Sequence, residues 1–478
     1  MEEWLRYLEA VSPDVVKRDL DTCKIIGSCA LATAGKLLID GVFPIISANM
    51  MVAVTGPSGS AKSWIVNRVF DGMKGFKIEP GTPEKVAELV ERWRVGIYVV
   101  NEIGGAIRNA RRGGYMSEWG ENILLPLYEH EELSQRRRRK SRDITVPPRS
   151  YYVSMLSTGT DMDYASIFEL WPTLKRRLLM VRLTTPTPLR AWQPSGEGAE
   201  ALANLTSMYA ALSRAVALVK MDPEPVNRLG ERLEDRVEDP YLARLMWHYS
   251  VKLAACWALD AVMAEALERV RRGRSTSTVD VLGEPGKQHR SAKTGVTWEV
   301  IKIRGSVTRG NIIMNGVELS RMSMSLSMYE PLLNSHECLD TLLQVSMSVG
   351  CLSGIIDAVG AVIDTQCRLS GGARRIAEAV DPDLEKLCRR LLALAERHRA
   401  LRKRDFLRKI DGLNARRRDE ALEVLAARGE VVVRGSTVIH AGERCCGTCL
   451  HYHREGCPKG RAASPLDPPC DSYRGVET

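Results

Sequence analysis

The feature that most constrains the fold of this chain is a run of small residues at positions 56–63, with the sequence Gly-Pro-Ser-Gly-Ser-Ala-Lys-Ser. An apolar segment typical of a buried strand, residues 50–55, precedes this run, and a segment with helical periodicity follows it to about Met73. Small residues let backbone N–H groups converge in a turn, and the start of the next helix adds a partial positive charge. We call residues 56–63 the glycine loop, and its context predicts an α/β domain with an anion site.

The glycine loop has the spacing of a Walker A motif, with Ala61 where a glycine is usual. In such a loop, Lys62 would bring its charge to the β- and γ-phosphates of a nucleotide, and Ser63 would offer its hydroxyl to Mg²⁺. The residues predicted to bind nucleotide in the loop are Gly56, Ser58, Gly59, Ser60, Ala61, Lys62 and Ser63. A chance glycine-rich turn is the alternative, but the flanking strand and helix favour a site for ATP and Mg²⁺.

A second buried strand, residues 96–100, runs into Asn101 and Glu102. Glu102 would act as general base or would position the attacking water, and Asn101 stands where an aspartate usually holds the outer shell of the metal. Because Asn keeps one acceptor oxygen but lacks the charge, we expect weaker metal binding or slower turnover. The alternative is that Glu102 is only a solvated residue at the end of a strand.

Two further polar positions flank later strands of the same predicted domain. Thr158 ends a strand and would place a hydroxyl near the γ-phosphate, although Ser and Thr are also common in ordinary turns. Arg177, beside Arg176, precedes the last strand and is a candidate arginine finger for the nucleotide of a neighbouring subunit. A solvated helix end is the alternative for both arginines.

Strands that alternate with helices predict a mostly parallel sheet covered on both faces. The predicted fold class is an α/β P-loop NTPase core with N-terminal helices, a helical middle region, a C-terminal winged helix and a small metal-binding tail. The predicted segments are N-terminal helices at 1–45, the core at 46–190, a helical region with a polar insertion near 273–310 at 197–375, a winged helix-turn-helix at 381–441, and a cysteine-rich tail at 445–473.

Five features occur in order along the chain: GPSGSAKS, PGTPEKVAELVE, NEIGG, LLPLYEHEELSQRRRRK and LKRRLLMVRL. This order resembles that of the P-loop ATPases of phages, plasmids and integrated mobile elements, which are similar to replicative helicases of the RecA and AAA+ types. The resemblance covers roughly residues 15–270. It implies that Lys62 and Ser63 bind the nucleotide and its metal, that Glu102 is the catalytic acidic residue, and that Arg177 is the arginine before the final strand. The chain departs from the pattern at Ala61 and Asn101.

Basic residues indicate a nucleic-acid partner. The chain carries a formal net charge of +9, and the run from Arg136 to Lys140 would contact DNA phosphates. Three helices followed by two strands over residues 381–440 predict a winged helix, whose basic face from Lys403 to Arg418 would also bind DNA. The alternatives are a solvated charge run in the first case and a protein-binding module in the second.

Cysteines crowd into the tail. Cys446, Cys449, Cys457 and Cys470 lie in a short polar stretch that cannot bury enough apolar surface to fold unaided. A tetrahedral Zn²⁺ held by these four thiolates would supply the folding energy, with His451 or His453 able to replace one of them. An iron–sulfur cluster, disulfides and free thiols are the alternatives.

These patterns lead to an expected function. The first hypothesis is an ATP-dependent, DNA-acting motor, helicase-like or replication-initiating, that works as a homo-oligomer such as a hexamer. The second is a nucleotide-gated DNA-binding regulator with little hydrolysis, and the third is a structural zinc protein with a vestigial loop. Because no signal-peptide pattern and no long uncharged apolar stretch occur, we expect a cytoplasmic protein without a membrane span.

Overall fold

The computed structural model describes residues 1–42, 46–57, 59–111, 119–135, 143–186, 196–271, 282–302, 313–314, 317–318, 341–369, 382–398, 400–402, 421–422, 425, 431–434 and 437–440. The chain forms two compact units, Met1–Gly372 and Ala373–Thr478. The first unit therefore contains the three regions predicted at 1–45, 46–190 and, for the most part, 197–375.

The helices of the described residues are α1 (Glu2–Val11), α2 (Pro13–Ala34), α3 (Lys62–Gly72), α4 (Pro83–Trp93), α5 (Gly104–Arg111), α6 (Leu125–Glu129), α7 (Asp161–Leu170), α8 (Glu197–Ser213), α9 (Pro223–Arg236), α10 (Pro240–Arg271), α11 (Val349–Leu369) and α12 (Pro382–His398). A π-helix (Gly120–Leu124) precedes α6, and a 3₁₀-helix (Pro172–Arg176) follows α7.

The strands are β1 (Leu38–Asp40), β2 (Ile46–Ser47), β3 (Met51–Thr55), β4 (Lys77–Ile78), β5 (Val95–Val100), β6 (Leu133–Gln135), β7 (Ile144–Val146), β8 (Tyr152–Thr158), β9 (Leu178–Arg182), β10 (Ala215–Lys220), β11 (Gln288–Arg290), β12 (Thr297–Lys302), β13 (Ile313–Met314), β14 (Val317–Glu318), β15 (Thr341–Ser346), β16 (Ala400–Arg402), β17 (Val431–Arg434) and β18 (Thr437–His440).

A five-stranded sheet in the order β4-β5-β8-β3-β9 carries the glycine loop. Every pairing in this sheet is parallel. All residues of β3, β5 and β8 are buried, as expected of parallel strands covered on both faces. The mostly parallel sheet predicted for the core is therefore confirmed, and the strands predicted at 50–55 and 96–100 are present as β3 and β5.

A second sheet, of six strands in the order β11-β12-β15-β10-β1-β2, was not predicted. In it β10 pairs in parallel with both β1 and β15, whereas β2, β11 and β12 are antiparallel to their neighbours. The prediction that residues 1–45 are only helical is wrong, because the chain turns into β1 after α2 ends. The helical prediction for 197–375 is wrong in the same way at β10 and β15, whereas β11 and β12 lie in the polar insertion predicted near 273–310.

Helices α2 and α10 pack in one hydrophobic core with both sheets. Tyr249 of α10 is buried, and its hydroxyl accepts from the Met51 N–H at 3.0 Å at the start of β3. Helix α11 packs against α10 and β9 through an apolar face that includes Ile356 and Ile363. Among the described helices, α11 is also long and apolar enough to cross a membrane by length and composition alone, a test that core helices of soluble proteins pass too.

The second unit contains a three-stranded antiparallel sheet in the order β16-β18-β17 and helix α12. Ala421, Leu422 and Leu425, which lie in the winged helix predicted at 381–441, are buried with residues of α12. The predicted strand pair is present as β17 and β18. Strand β16, which ends at Arg402, was not predicted, because the sequence pattern placed only helices before the two strands of the winged helix.

Candidate active site

The glycine loop leaves the carboxyl end of β3 and closes on the first turn of α3. Gly56 has φ of +151° and Gly59 has φ of +82°, both in the region that favours glycine. A Cβ on Gly56 would lie 2.1 Å from the carbonyl oxygen of Leu183, so the loop requires glycine there for space as well as for conformation. Ser58 lies outside the described residues.

The ends of three neighbouring strands meet at this edge of the sheet. The Ser63 and Thr158 hydroxyl oxygens are 3.2 Å apart, and the Glu102 N–H donates to Thr158 Oγ1 at 3.0 Å. Thr158 is the last residue of β8, which lies between β3 and β5 in the sheet. Three residues predicted separately from the sequence are therefore joined by one buried hydroxyl.

Lys62 is buried, and its ammonium points back into the glycine loop. Nζ donates to the carbonyl oxygens of Gly56 at 3.0 Å and Pro57 at 2.6 Å, and to Ser60 Oγ at 3.0 Å. Burial lowers the pKa of this ammonium below its usual value, while the carboxylates of Asp163, Asp161 and Glu102 oppose that change. Two loop carbonyls and one loop hydroxyl thus accept from the three N–H donors of the ammonium.

Asn101 and Glu102 follow β5 in a turn and are both exposed. Glu102 has φ of +55°, which is uncommon for a residue with a side chain and recurs at functional sites. A backbone hydrogen bond fixes this turn to the end of β8, because the Ile103 N–H donates to the Thr158 carbonyl at 2.9 Å. The carboxylate of Glu102 is thus presented to solvent at the edge that carries the glycine loop.

Two acidic residues near Lys62, Asp161 and Asp163, were missed in the sequence. Thr160 and Asp163 form a capping box at the start of α7, in which Asp163 Oδ2 accepts from the Thr160 N–H at 2.8 Å. A Cβ on Gly104 would lie 2.5 Å from Asp163 Oδ1, so this glycine lets the turn after β5 approach α7 closely. The Thr-x-x-Asp spacing at 160–163 is the sequence signal that would have found the cap.

Arg182, the last residue of β9, was also not identified from the sequence. Arg182 pairs with Thr55, the residue directly before the glycine loop, and its Nη1 donates to Asp161 Oδ2 at 2.7 Å. Since β3 lies between β8 and β9, this ion pair spans the carboxyl end of β3. The residue predicted from the sequence was Arg177, which precedes the other end of the same strand.

Arg177 lies at the amino edge of the parallel sheet, next to the start of β3. Its Nε donates to Glu129 Oε1 at 2.5 Å, and the guanidinium of Arg176 stacks on Tyr241 at 3.8 Å from the ring centre. Five residues of extended strand, about 17 Å, separate this edge from the glycine loop. Neither arginine therefore reaches the loop of its own chain.

The predicted basic run is bracketed by two strands. β6 and β7 pair antiparallel, with Gln135 opposite Ile144, and the run from Arg136 to Lys140 connects them outside the described residues. The basic segment from Lys403 to Arg418 and the tail cysteines Cys446, Cys449, Cys457 and Cys470 also lie outside the described residues. Within the described part of the chain, no group of three or more His, Cys, Asp and Glu residues could hold a metal ion.

Two surface cavities of about 550 Å³ and 540 Å³ lie on other parts of the first unit. The larger is lined by residues of α1, α10 and the loop at 291–294, and the smaller by the turn between α9 and α10. Neither is lined by a residue of the glycine loop.

A comparison of the chain with protein-family models and with curated proteins found no match.

Proposed function

We propose that the chain is a P-loop ATPase in which Lys62 and Ser63 bind the phosphates and Mg²⁺ of ATP and Glu102 activates water. The observation that carries this proposal is the contact of Thr158 with both Ser63 and the backbone of Glu102. A nucleotide-hydrolysing site needs a metal-binding hydroxyl and a water-activating carboxylate close to the same phosphate. The single hydroxyl of Thr158 lies between residues suited to these two roles.

The position of the loop supports the same proposal. In open α/β sheets ligands bind outside the carboxyl ends of the strands, and the glycine loop, Glu102 and Thr158 all lie at that edge. Lys62 also has three carboxylates near it, from Glu102, Asp161 and Asp163. We infer that Asp161 or Asp163 supplies part of the negative charge around Mg²⁺ that Asn101 lacks.

The DNA-acting part of the proposal rests on the basic run and on the second unit. A basic run such as Arg136–Lys140 can contact phosphates without reading sequence. The basic segment from Lys403 to Arg418 of the winged helix predicted at 381–441 would add further phosphate or base contacts. Arg177 would meet nucleotide only from a neighbouring subunit, so the motor is proposed as a homo-oligomer. We also propose that the four tail cysteines bind Zn²⁺, which would stabilise the fold of the tail.

Steady-state ATP hydrolysis with and without single-stranded DNA tests this function. We expect Mg²⁺-dependent turnover that DNA stimulates, that Lys62→Ala abolishes, and that Glu102→Gln lowers by about 100-fold or more. Glu79→Gln is the matched control, because Glu79 pairs with Lys77 on the surface next to β4. Equal turnover in the wild-type protein and Lys62→Ala would refute the proposal.

The second candidate is a nucleotide-gated DNA-binding regulator, and two observations favour it. Asn101 offers no charge for the metal, and Lys62 is bound to carbonyls of its own loop. Both features would slow the exchange of bound nucleotide and the hydrolysis of ATP. ATP binding in the micromolar range without turnover, together with nucleotide-dependent DNA binding, would select this candidate over the motor.

A further inference from the structure

The segment after β9, residues 183–186, runs directly against the glycine loop, and we call it the strap. The Leu183 N–H donates to the Thr55 carbonyl at 2.8 Å, which continues the pairing of β9 with β3. The Ala61 N–H then donates to the Thr185 carbonyl at 2.8 Å, and Ser60 and Pro186 form an isolated antiparallel bridge. The strap is thus hydrogen-bonded to the loop near both of its ends.

These contacts use a backbone donor that a phosphate would need. A phosphate loop binds its ligand through N–H groups at the start of the helix, which include the position of Ala61. Here the Ala61 N–H is directed to the strap, and the Lys62 N–H donates to the Ser60 carbonyl at 2.8 Å. A bound triphosphate and the strap would therefore compete for the same N–H group.

Asp19 on α2 holds the strap from the other side. Its Oδ1 accepts from the Thr184 N–H at 3.1 Å and from the Thr184 hydroxyl at 3.0 Å. Its Oδ2 accepts from the Thr185 N–H at 3.0 Å and from the Thr185 hydroxyl. One buried carboxylate thus binds four donors on two consecutive strap residues, and charge-assisted hydrogen bonds of this kind are the stronger ones.

The backbone of α2 is adapted to this contact. Asp19 has φ of −126° and ψ of 37°, which interrupts the helix at that residue. One turn later, the Thr22 hydroxyl donates at 2.6 Å to the carbonyl of Arg182, the residue before the strap. A helix gives up regular geometry only where other contacts compensate, and here the compensating contacts are to the strap.

We propose that the strap is a regulatory element that nucleotide must displace from Ala61, and that Asp19 sets how firmly the strap is held. The inference rests on the proposed function, since it names the regulation of the same site. A partner that moved the first half of α2 would release the strap and open the loop to ATP. The strap would then link the N-terminal helices to nucleotide binding, a role for them that the sequence did not indicate.

Nucleotide affinity of the full-length protein tests this inference. The probe is a fluorescent ATP analogue with Mg²⁺, titrated into wild type, Asp19→Asn, Thr184→Val and a matched control, Asp21→Asn. Asp21 lies on the same helix and faces Lys24 on the surface. Asp19→Asn should lose about one charge-assisted hydrogen bond to the strap. Because the strap is then easier to displace, the analogue should bind about tenfold more tightly. Thr184→Val should tighten it by about threefold, and Asp21→Asn should bind like wild type.

Hydrogen exchange followed by mass spectrometry gives a second, independent readout. Peptides that cover the strap should exchange slowly in the free wild-type protein and faster once the analogue is bound. Stronger strap protection on nucleotide binding would overturn the inference, and so would unchanged or weaker affinity in folded Asp19→Asn and Thr184→Val. If Asp19→Asn fails to fold, Thr184→Val, which removes one hydroxyl on the surface, decides the question.

The failure of the proposed function looks different in the same experiment. In that case the analogue binds to none of the three folded proteins, which are wild type, Asp19→Asn and Lys62→Ala. The proposed nucleotide site and the strap proposal are then both refuted. Binding by Asp19→Asn alone, with Lys62→Ala inactive in the Asp19→Asn background, supports both proposals and identifies a closed wild-type state.

Discussion

Lys36 is a buried cation at the end of two helices, and it makes a quantitative prediction possible. It is 1% exposed, and its ammonium donates to the carbonyls of Ala34 at 3.1 Å, Leu212 at 3.2 Å and Ser213 at 2.9 Å. Helix α2 ends at Ala34 and α8 ends at Ser213, so one charge caps two carboxyl termini. Burial nevertheless lowers the pKa of Lys36 from 10.5 to about 7.

The sign of the pH dependence follows from this shift. Between the folded pKa and the ordinary value, the unfolded chain binds one more proton than the folded chain, so stability rises with pH. A full proton difference corresponds to about 1.4 kcal/mol of unfolding free energy per pH unit. Lys252, which donates to the Asn49 carbonyl at 2.6 Å, has its pKa lowered to about 7 by burial as well. The two lysines together give a slope of about 2.7 kcal/mol per pH unit.

The measurement is urea denaturation of the full chain between pH 7.5 and 8.5, followed by tryptophan fluorescence. This window lies below pH 9, where buried thiols such as Cys29, whose pKa burial raises to about 12, begin to act in the opposite direction. We expect Lys36→Met to lower the slope by about 1.4 kcal/mol per pH unit, which is the contribution of one lysine. The lost hydrogen bonds change the stability at every pH and so leave the slope unaffected.

Lys85→Met serves as the control, because Lys85 is 54% exposed and pairs with Glu88 on the surface of α4. It should keep the full slope. If Lys36→Met also keeps the wild-type slope, the ammonium of Lys36 remains charged in the folded protein. The argument that desolvation outweighs the three carbonyl contacts would then be wrong.

Three further substitutions address the candidate site. Gly56→Ala should destabilise the first unit by more than about 1 kcal/mol in thermal denaturation, because the new Cβ would meet the Leu183 carbonyl at 2.1 Å in a conformation that favours glycine. Thr158→Val should lower the rate of ATP hydrolysis by about tenfold with little change in folding, whereas Thr206→Val on the surface of α8 should not. Asp163→Ala should lower the unfolding free energy by about 0.5–2 kcal/mol in urea titrations, since it removes the capping box of α7.

The sequence by itself determined the elements whose signals are local. The apolar run of β3, the glycine loop and the start of α3 follow each other without a gap, and the glycines of the loop suit the turn that joins the strand to the helix. Helix α4 begins at Pro83 after Thr82, whose side chain accepts from the Lys85 N–H, as a helix start requires. β5 could be placed because its residues are apolar throughout, which is typical of a strand covered on both faces.

Only the tertiary structure decided where the second sheet lies. β10 has the sequence Ala-Val-Ala-Leu-Val-Lys, and Ala and Leu suit a helix as well as a strand. Its partners are far away in the chain, since Ala217 pairs with Leu343 on one side and Leu218 with Leu38 on the other. A strand whose hydrogen bonds all go to distant segments leaves little local signal.

The contacts that hold the glycine loop and the strap also join residues that are far apart in the sequence. The sequence predicted Lys62 and Ser63 from their spacing, but it did not indicate that the strap accepts a hydrogen bond from Ala61 or that Asp19 holds the strap. Asp19 and Thr185 are joined across 166 positions of the chain. Their hydrogen bonds exist because the fold packs α2 against the end of β9, and a buried carboxylate there must find donors wherever the chain supplies them.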